Sequence, residues 1–403
     1  MKHYSNISQV LSLESANSKD GRNLEPSDLS VLNNASIVFD NEKILWIGKT
    51  TELPDIYQSV ETTDLTGHCV TPEVVDSHTH LIFGGDRAKE YSMRLNGADY
   101  VDIAKAGGGI LNTMNGTNSL DKHELLSISR ERVERLHSYG IGSIEIKTGY
   151  GLNFEKEYEL SHIVKELKDQ YKGKVQIINT FMAAHAVPKN YESSSQYMNE
   201  VVIPLLEKLV SEKVIDCADI FHESGYFDSS DTKLLFEKCI ELNIPFKSHA
   251  DEFNDNKGAK LAAEMGALST DHLLCTTQDG IEALSKSKTV ATLLPGTGYF
   301  LGKPQANARA LLNAGVKVSI ASDYNPGSCH WDNLLQIASL AAPNLGFNQT
   351  QLWAAITLNA AHALGLTDQG AIVRGLKPRF SIFKVPTIDH ITYHWGRNFA
   401  VTL

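Results

Sequence analysis

The chain has 403 residues, 42% hydrophobic and 21% charged, an ordinary globular balance that excludes a disordered or fibrous protein and allows one large domain with a smaller companion. Its formal net charge of −11, with no offsetting basic cluster, repels nucleic acid and anionic lipid and leaves a small molecule as the expected partner. No apolar run approaches the roughly 20 residues that span a bilayer, MKHYSNISQVLSLESANSKD lacks the apolar core of a secretory signal, and five scattered cysteines without a C-x-x-C pair fit a reducing, cytoplasmic setting.

In chain order, the segment before residue 70 reads as β-structure. Ala35-Ser-Ile-Val-Phe-Asp40 and Ile44-Leu-Trp-Ile-Gly48 flank a polar turn, a hairpin signal. The middle then alternates between short apolar runs and segments of helical periodicity. Candidate strands are Val74–His80, Gly142–Lys147, Val175–Ala183, Ala218–Glu223, Phe246–Ala250, Ala267–His272, Val290–Leu294 and Lys317–Ser322. Helical patterns lie between them, among them Glu124–Tyr139, Phe154–Gln170 and Lys257–Met265. From about Ala371 the chain returns to short β-like pieces, Ser381-Ile-Phe-Lys384 and Phe399-Ala-Val-Thr-Leu403. Eight β-then-α units predict a (β/α)₈ barrel of the TIM type over 71–365. A doubly wound sheet would carry a Gly-rich turn after its first strand, and none stands there. The β-rich ends, 1–70 plus 366–403, predict a small β-sandwich domain assembled from both termini.

Chemistry concentrates at the predicted strand ends. In Asp76-Ser-His-Thr-His80, residues two apart on a strand point the same way, so His78 and His80 offer nitrogens to one ion. His249 ends the fifth strand, and Asp323 follows the eighth, which neighbours the first in a closed barrel. Three nitrogens and one oxygen leave a position for water, the pattern of a catalytic metal site. A metal ion there lowers the pKa of a bound water toward about 7. Proton transfer then needs a nearby acid or base: Asp323 itself, Glu252 three residues past a ligand, or His272, suited to stabilise an oxyanion. On the loops after the strands, Arg87 suits a substrate carboxylate. Gly149-Tyr150-Gly151, Ala184-His185-Ala186 and Asn325-Pro-Gly327-Ser328 supply further substrate contacts. Each of these loops is also explicable as ordinary turn chemistry.

These stretches resemble the amidohydrolase superfamily, and within it the members that open an imidazolone ring. The resemblance is carried by HTHLIFGGDR (78–87), RLNGADY (94–100), AGGGI (106–110), EIKTGYGL (145–152), AAHAVP (183–188), HADEF (249–253), DHL (271–273), LLPGT (293–297), SDYNPGS (322–328) and LNAAHALG (358–365). It implies a distorted (β/α)₈ barrel with a β-sandwich from both ends. It implies one metal ion per subunit, zinc first and ferric iron second, on His78, His80, His249 and Asp323. Substrate contacts follow from Arg87, Tyr150, His185, Glu252, Asn325, Gly327 and Ser328, with His272 catalytic and a homodimer as the assembly. The implied reaction is hydrolysis of 4-imidazolone-5-propanoate, a small anion, to N-formimidoyl-L-glutamate in histidine degradation. A mononuclear nucleobase deaminase is the alternative within the superfamily, and an inactive scaffold barrel the alternative outside enzymes. A two-metal enzyme would need a lysine at the end of strand four, where His222-Glu223 stands. Lys147 ends strand two and is expected to be solvated or hydrogen-bonded. The chain departs from the family pattern at Glu73, usually Gly, at Ser77, often Pro, and at His222, usually small or Cys. It departs again in Gly375-Leu-Lys-Pro-Arg-Phe380, usually Gly-x-x-Ala-Asp-Leu, which is expected to affect only details of the terminal domain.

Overall fold

The computed structural model describes residues 1–98 and 108–402; the ends of the RLNGADY and AGGGI stretches, at 99–100 and 106–107, and Leu403 lie outside the described residues. Strands from both ends of the chain share one seven-stranded sheet. It contains β1 (Lys2–Leu11), β2 (Val31–Phe39), β3 (Ile44–Lys49), β4 (Thr62–Asp64), β5 (Cys69–Pro72), and, from the C-terminal end, β14 (Phe380–Phe383) and β15 (Ala400–Val401). β2 and β3 pair antiparallel, as the hairpin signal anticipates, and β14 pairs antiparallel with β5.

The second sheet has eight parallel strands. They are β6 (Val74–Asp76), β7 (Ile141–Lys147), β8 (Gln176–Ala184), β9 (Cys217–His222), β10 (Ser248–Ala250), β11 (Ser269–His272), β12 (Val290–Leu293) and β13 (Val318–Ile320), each paired with its neighbour in sequence. Beyond the strand ends Thr79 bridges Tyr324 in parallel register. The His80 N–H donates to the Tyr324 carbonyl and the Asp323 N–H to that of His78, each at 3.0 Å, which brings the eighth strand against the first. All residues of β6, β7, β9, β10, β11, β12 and β13 are buried, because helices cover the outside and side chains fill the inside. The helices Lys122–Ser138 and Ser229–Glu241 start at capping boxes on Asp121 and Asp228, and Phe154–Gln170 starts at an Asn153 cap. Such caps satisfy N–H groups that the first turn leaves free.

The two sheets meet at Glu73, the single residue between β5 and β6. Its carboxylate pairs with Arg379 at 2.6 Å, its N–H donates to the Arg379 carbonyl, and it accepts from the Ser143 hydroxyl. Arg379 also donates to the Gly142 carbonyl. Two departures from the family pattern are therefore one contact. The Gly375–Phe380 stretch does more than alter a detail of the terminal domain, because it neutralises an acid buried at the seam.

Candidate active site

Parallel strands aim their C-terminal ends at one mouth of the barrel, and several of these chains leave through left-handed backbone. Asp251 (φ 52°), His272 (φ 79°), Leu273 (φ 63°) and Asp323 (φ 54°) all lie in a region that ordinary residues seldom occupy. Such conformations cluster where geometry serves function rather than stability.

The strand-end residues converge. His78 and His249 rings are 4.5 Å apart and His80 lies 5.3 Å from each. One nitrogen from each of the three sits within 4.8 Å of the others. His80 Nε2 faces His249 Nε2 at 3.2 Å, and Asp323 Oδ1 stands 3.5 Å from His78 Nε2 and 3.8 Å from His80 Nε2. All four side chains are buried. Burial pushes the imidazoles of His78 and His80 well below the usual histidine range, so both are neutral with a lone pair to offer. His78 gives its Nδ1 to Asp271 at 2.6 Å, while its buried Nε2 has no hydrogen-bond partner among the described residues. His249 likewise places Nδ1 3.2 Å from Asp219. A buried nitrogen turned inward without a partner costs free energy unless a cation receives it. This donor set of three imidazoles and a carboxylate fits a metal ion.

Around this cluster stand the other residues expected from sequence. Glu252 Oε2 is 3.7 Å from His272 Nε2. Burial, then the neighbouring Asp323 and Glu223, push the Glu252 carboxyl up to about 8, so it carries a proton near neutral pH. Burial also drives His272 well below its ordinary value, leaving a neutral imidazole. Asp323 is raised to about 6 by burial, against the Thr297 hydroxyl that donates to its Oδ2. His185 stacks on His80 at 4.8 Å with Tyr150 5.8 Å from His80. Glu157 accepts from the N–H groups of Gly149, Gly151 and Leu152 and so fixes the loop bearing Tyr150. A Cβ on Gly149 would lie 2.7 Å from the Met182 carbonyl, which explains the glycine.

Arg87 is held by Glu90, whose Oε2 lies 2.8 Å from both Nε and Nη2. Its Nη1 packs against Gly327, where an added Cβ would fall 1.9 Å away. Asn325 uses its amide inside the loop: Nδ2 donates to the Asp323 carbonyl and to Ser328 Oγ, and Oδ1 accepts from the N–H groups of Gly327 and Ser328. His222 turns to Ser229 Oγ at 3.3 Å, and Glu223, rather than receiving an ion, accepts from Phe253 N–H, Asn254 N–H and the Asn256 amide. Lys147 is fully buried, in ion pairs with Glu145 and Asp219, so the hydrogen-bonded alternative holds and the solvated one does not. Sequence reasoning assigned no role to Thr297, Asp219, Asp271, Lys247 or Glu223. For the four ionisable residues the available signal was a charge in or beside a buried strand; the Thr297 hydroxyl, on the helix Pro295–Leu301, carried no such signal.

A barrel of eight parallel strands with a buried triple-histidine cluster at its C-terminal mouth defines a metal-dependent hydrolase of the amidohydrolase class. A model of the Amidohydrolase family matches residues 151–402. The imidazolonepropionase of Bacillus velezensis is 38% identical over 98% of this chain and 93% of its own length, and that of Bacillus mycoides 35% identical over 97% and 92%. The chain belongs to the imidazolonepropionase family of amidohydrolases. Among solved structures, a zinc-bound variant of atrazine chlorohydrolase from Arthrobacter aurescens superposes with a TM-score of 0.75 at 13% identity, covering 99% of this chain and 93% of that one. A zinc-bound adenosine deaminase from Xanthomonas campestris gives 0.70 at 14%, covering 99% and 90%. These two share the fold. Among the described residues no helix is long and apolar enough to cross a membrane.

Proposed function

We propose that this chain hydrolyses the cyclic amide of 4-imidazolone-5-propanoate to N-formimidoyl-L-glutamate. Water adds across the ring C–N bond: its oxygen joins the carbonyl carbon and a proton goes to the departing nitrogen. The observation that carries the reading is the convergence of three imidazoles and Asp323, with the buried Glu252 carboxyl 3.7 Å from His272 beside them, in a chain of this family. His78, His80, His249 and Asp323 would hold one cation, and a zinc ion, which suits imidazole and carboxylate donors, would supply a polarised carbonyl and an activated water.

The protein's own groups do the rest. Glu252 holds a proton at its carboxyl near neutral pH and delivers it to the departing ring nitrogen, and a proton of the added water returns to Glu252, so that water supplies the hydroxyl on carbon and, in net, the proton on nitrogen. His272, neutral and 3.7 Å from Glu252, polarises the carbonyl oxygen. Arg87 receives the propionate carboxylate, with Tyr150, His185 and Ser328 completing the pocket. Burial of the cluster excludes bulk water and strengthens each of these contacts.

Loss of imidazolone ultraviolet absorbance with purified protein tests the proposal, with and without prior chelation and zinc replacement. Turnover with formimidoylglutamate as product and no free ammonia is expected, and no turnover after chelation. Ammonia release from a nucleobase, with the imidazolone left intact, would replace this reading with a deaminase. A homodimer belongs to the same proposal and is checked by sedimentation velocity.

A further inference from the structure

We infer that Lys147, Lys247, Glu145, Asp219 and Asp271 form a buried positioning floor that turns His78 and His249 toward the metal; this rests on the metal-dependent reading above. All five side chains are fully buried, and they come from four different strands or strand entries beneath the histidines. Glu145 Oε2 bridges the lysines, 2.8 Å from Lys147 Nζ and 2.9 Å from Lys247 Nζ. Lys147 donates to Asp219 Oδ2 at 2.5 Å, leaving Oδ1 to face His249 Nδ1 at 3.2 Å. Lys247 lies 3.3 Å from Asp271 Oδ2, the same oxygen that meets His78 Nδ1 at 2.6 Å, and donates to the Ser77 carbonyl at 2.8 Å. Ser269 and Thr180 hydroxyls occupy the remaining oxygens of Asp271 and Glu145, each at 2.6 Å.

Stability alone does not account for this cluster. Burying ions is expensive, and well-packed apolar residues of similar volume often serve a core as well or better. The cluster's geometry has a different consequence. A carboxylate on the Nδ1 side of each ring selects the tautomer with its proton there and fixes the ring plane, so that Nε2 presents a lone pair to the site. The lysines in turn hold each aspartate in place, one through Asp219 and the other through Asp271 and the backbone beside His78. These are positioning residues, acting on the metal only through the two histidines.

The test compares zinc affinities of stripped protein, titrated against a chromophoric chelator, for the parent, Asp219→Asn, Asp271→Asn, Lys147→Met and the double variant Lys147→Met/Asp219→Asn. Melting of the metal-free forms is followed alongside. Both asparagine variants keep one zinc site per chain and bind about 10- to 100-fold more weakly, with metal-free melting close to the parent's. Lys147→Met leaves buried acids unpaired and folds poorly; the double variant recovers melting but keeps the weak zinc affinity of Asp219→Asn. Zinc affinities within twofold of the parent in both asparagine variants, or parental affinity in the double variant, would overturn the inference. A parent that binds no zinc would overturn the metal-dependent reading itself, and the floor's role with it.

Discussion

Replacing Arg379 by alanine tests whether the seam between the two sheets is electrostatically built. The guanidinium is the cation paired with Glu73 at 2.6 Å, and the carboxylate is almost fully buried, with side-chain exposures of 21% and 6%. Removing one partner of a buried pair costs about 3–5 kcal/mol, because the other charge is left uncompensated. Arg379 is partly exposed and Ser143 still donates to Glu73, which places the expected loss near the lower limit, about 3 kcal/mol. That is roughly a 150-fold fall in the folded-to-unfolded ratio. Burial already raises the Glu73 carboxyl, and Arg379 is the first influence opposing it. Without Arg379 the folded-state value rises further. The native state then binds a proton that the unfolded state releases, so stability falls as pH rises from the unfolded value of about 4.3 through the folded one, by at most about 1.4 kcal/mol per pH unit. Urea unfolding at pH 5.5 and pH 8 measures the effect: the deficit against the parent is larger at pH 8. Glu73→Gln combined with Arg379→Ala recovers more than half of it, since no charge remains to strand. A deficit below 1 kcal/mol at pH 8, or one independent of pH, would refute the reasoning.

Four further outcomes concern the site. Glu252→Gln lowers kcat by about 10²- to 10⁴-fold in the absorbance assay while bound metal, measured by mass spectrometry, stays at the parental level. Arg87→Met removes the contact proposed for the propionate carboxylate, worth about 1.5–3 kcal/mol, and raises KM about 10- to 150-fold, with metal content again unchanged. Gly327→Ala, at a position with ordinary backbone, forces the Arg87 guanidinium aside and reproduces most of the Arg87→Met rise in KM without changing the melting temperature by more than a few degrees. Glu223→Gln loosens the Phe253–Asn256 loop that follows Glu252; kcat falls about tenfold, a loss of about 1.4 kcal/mol, and hydrogen exchange of the Phe253 amide quickens.

The barrel was legible because its signal is local. Each strand is a short apolar run, bounded by polar loops and followed by a helical pattern, and the strands observed begin and end within a few residues of those read from sequence. The convergence of His78, His80, His249 and Asp323 followed from a topological rule: parallel strands in a closed sheet bring their C-terminal ends to one rim. What sequence withheld is pairing across the barrel. Lys147 shares its run with Glu145, but Asp219, Lys247 and Asp271 lie in or beside other strands, and nothing in any run names the partner outside it. That depends on which inward side chains meet in the same layer, a property of tilt and stagger. Asn325 shows the converse limit. Its motif marks a turn and a binding loop equally well, and only the geometry shows the amide engaged within its own turn.

The same physics links the seam to the floor. A charged residue inside an apolar strand cannot remain unpaired, so each such residue in the sequence demands a second one somewhere. Glu73 finds Arg379 from the C-terminal part of the chain, and Lys147 finds Asp219 from β9 as well as Glu145 on its own strand. The difference lies in what each cluster contacts. Glu73 and Arg379 touch backbone and a serine, Gly142 and Ser143, where the terminal sheet meets β7. The lysine-centred cluster touches the far nitrogens of two histidines. Asp271→Asn and Arg379→Ala should therefore separate cleanly, the first altering zinc affinity at nearly constant stability and the second altering stability at constant zinc affinity. If both variants moved both quantities together, the buried charges would be acting as one structural network, and the distinction between seam and floor would have no physical basis.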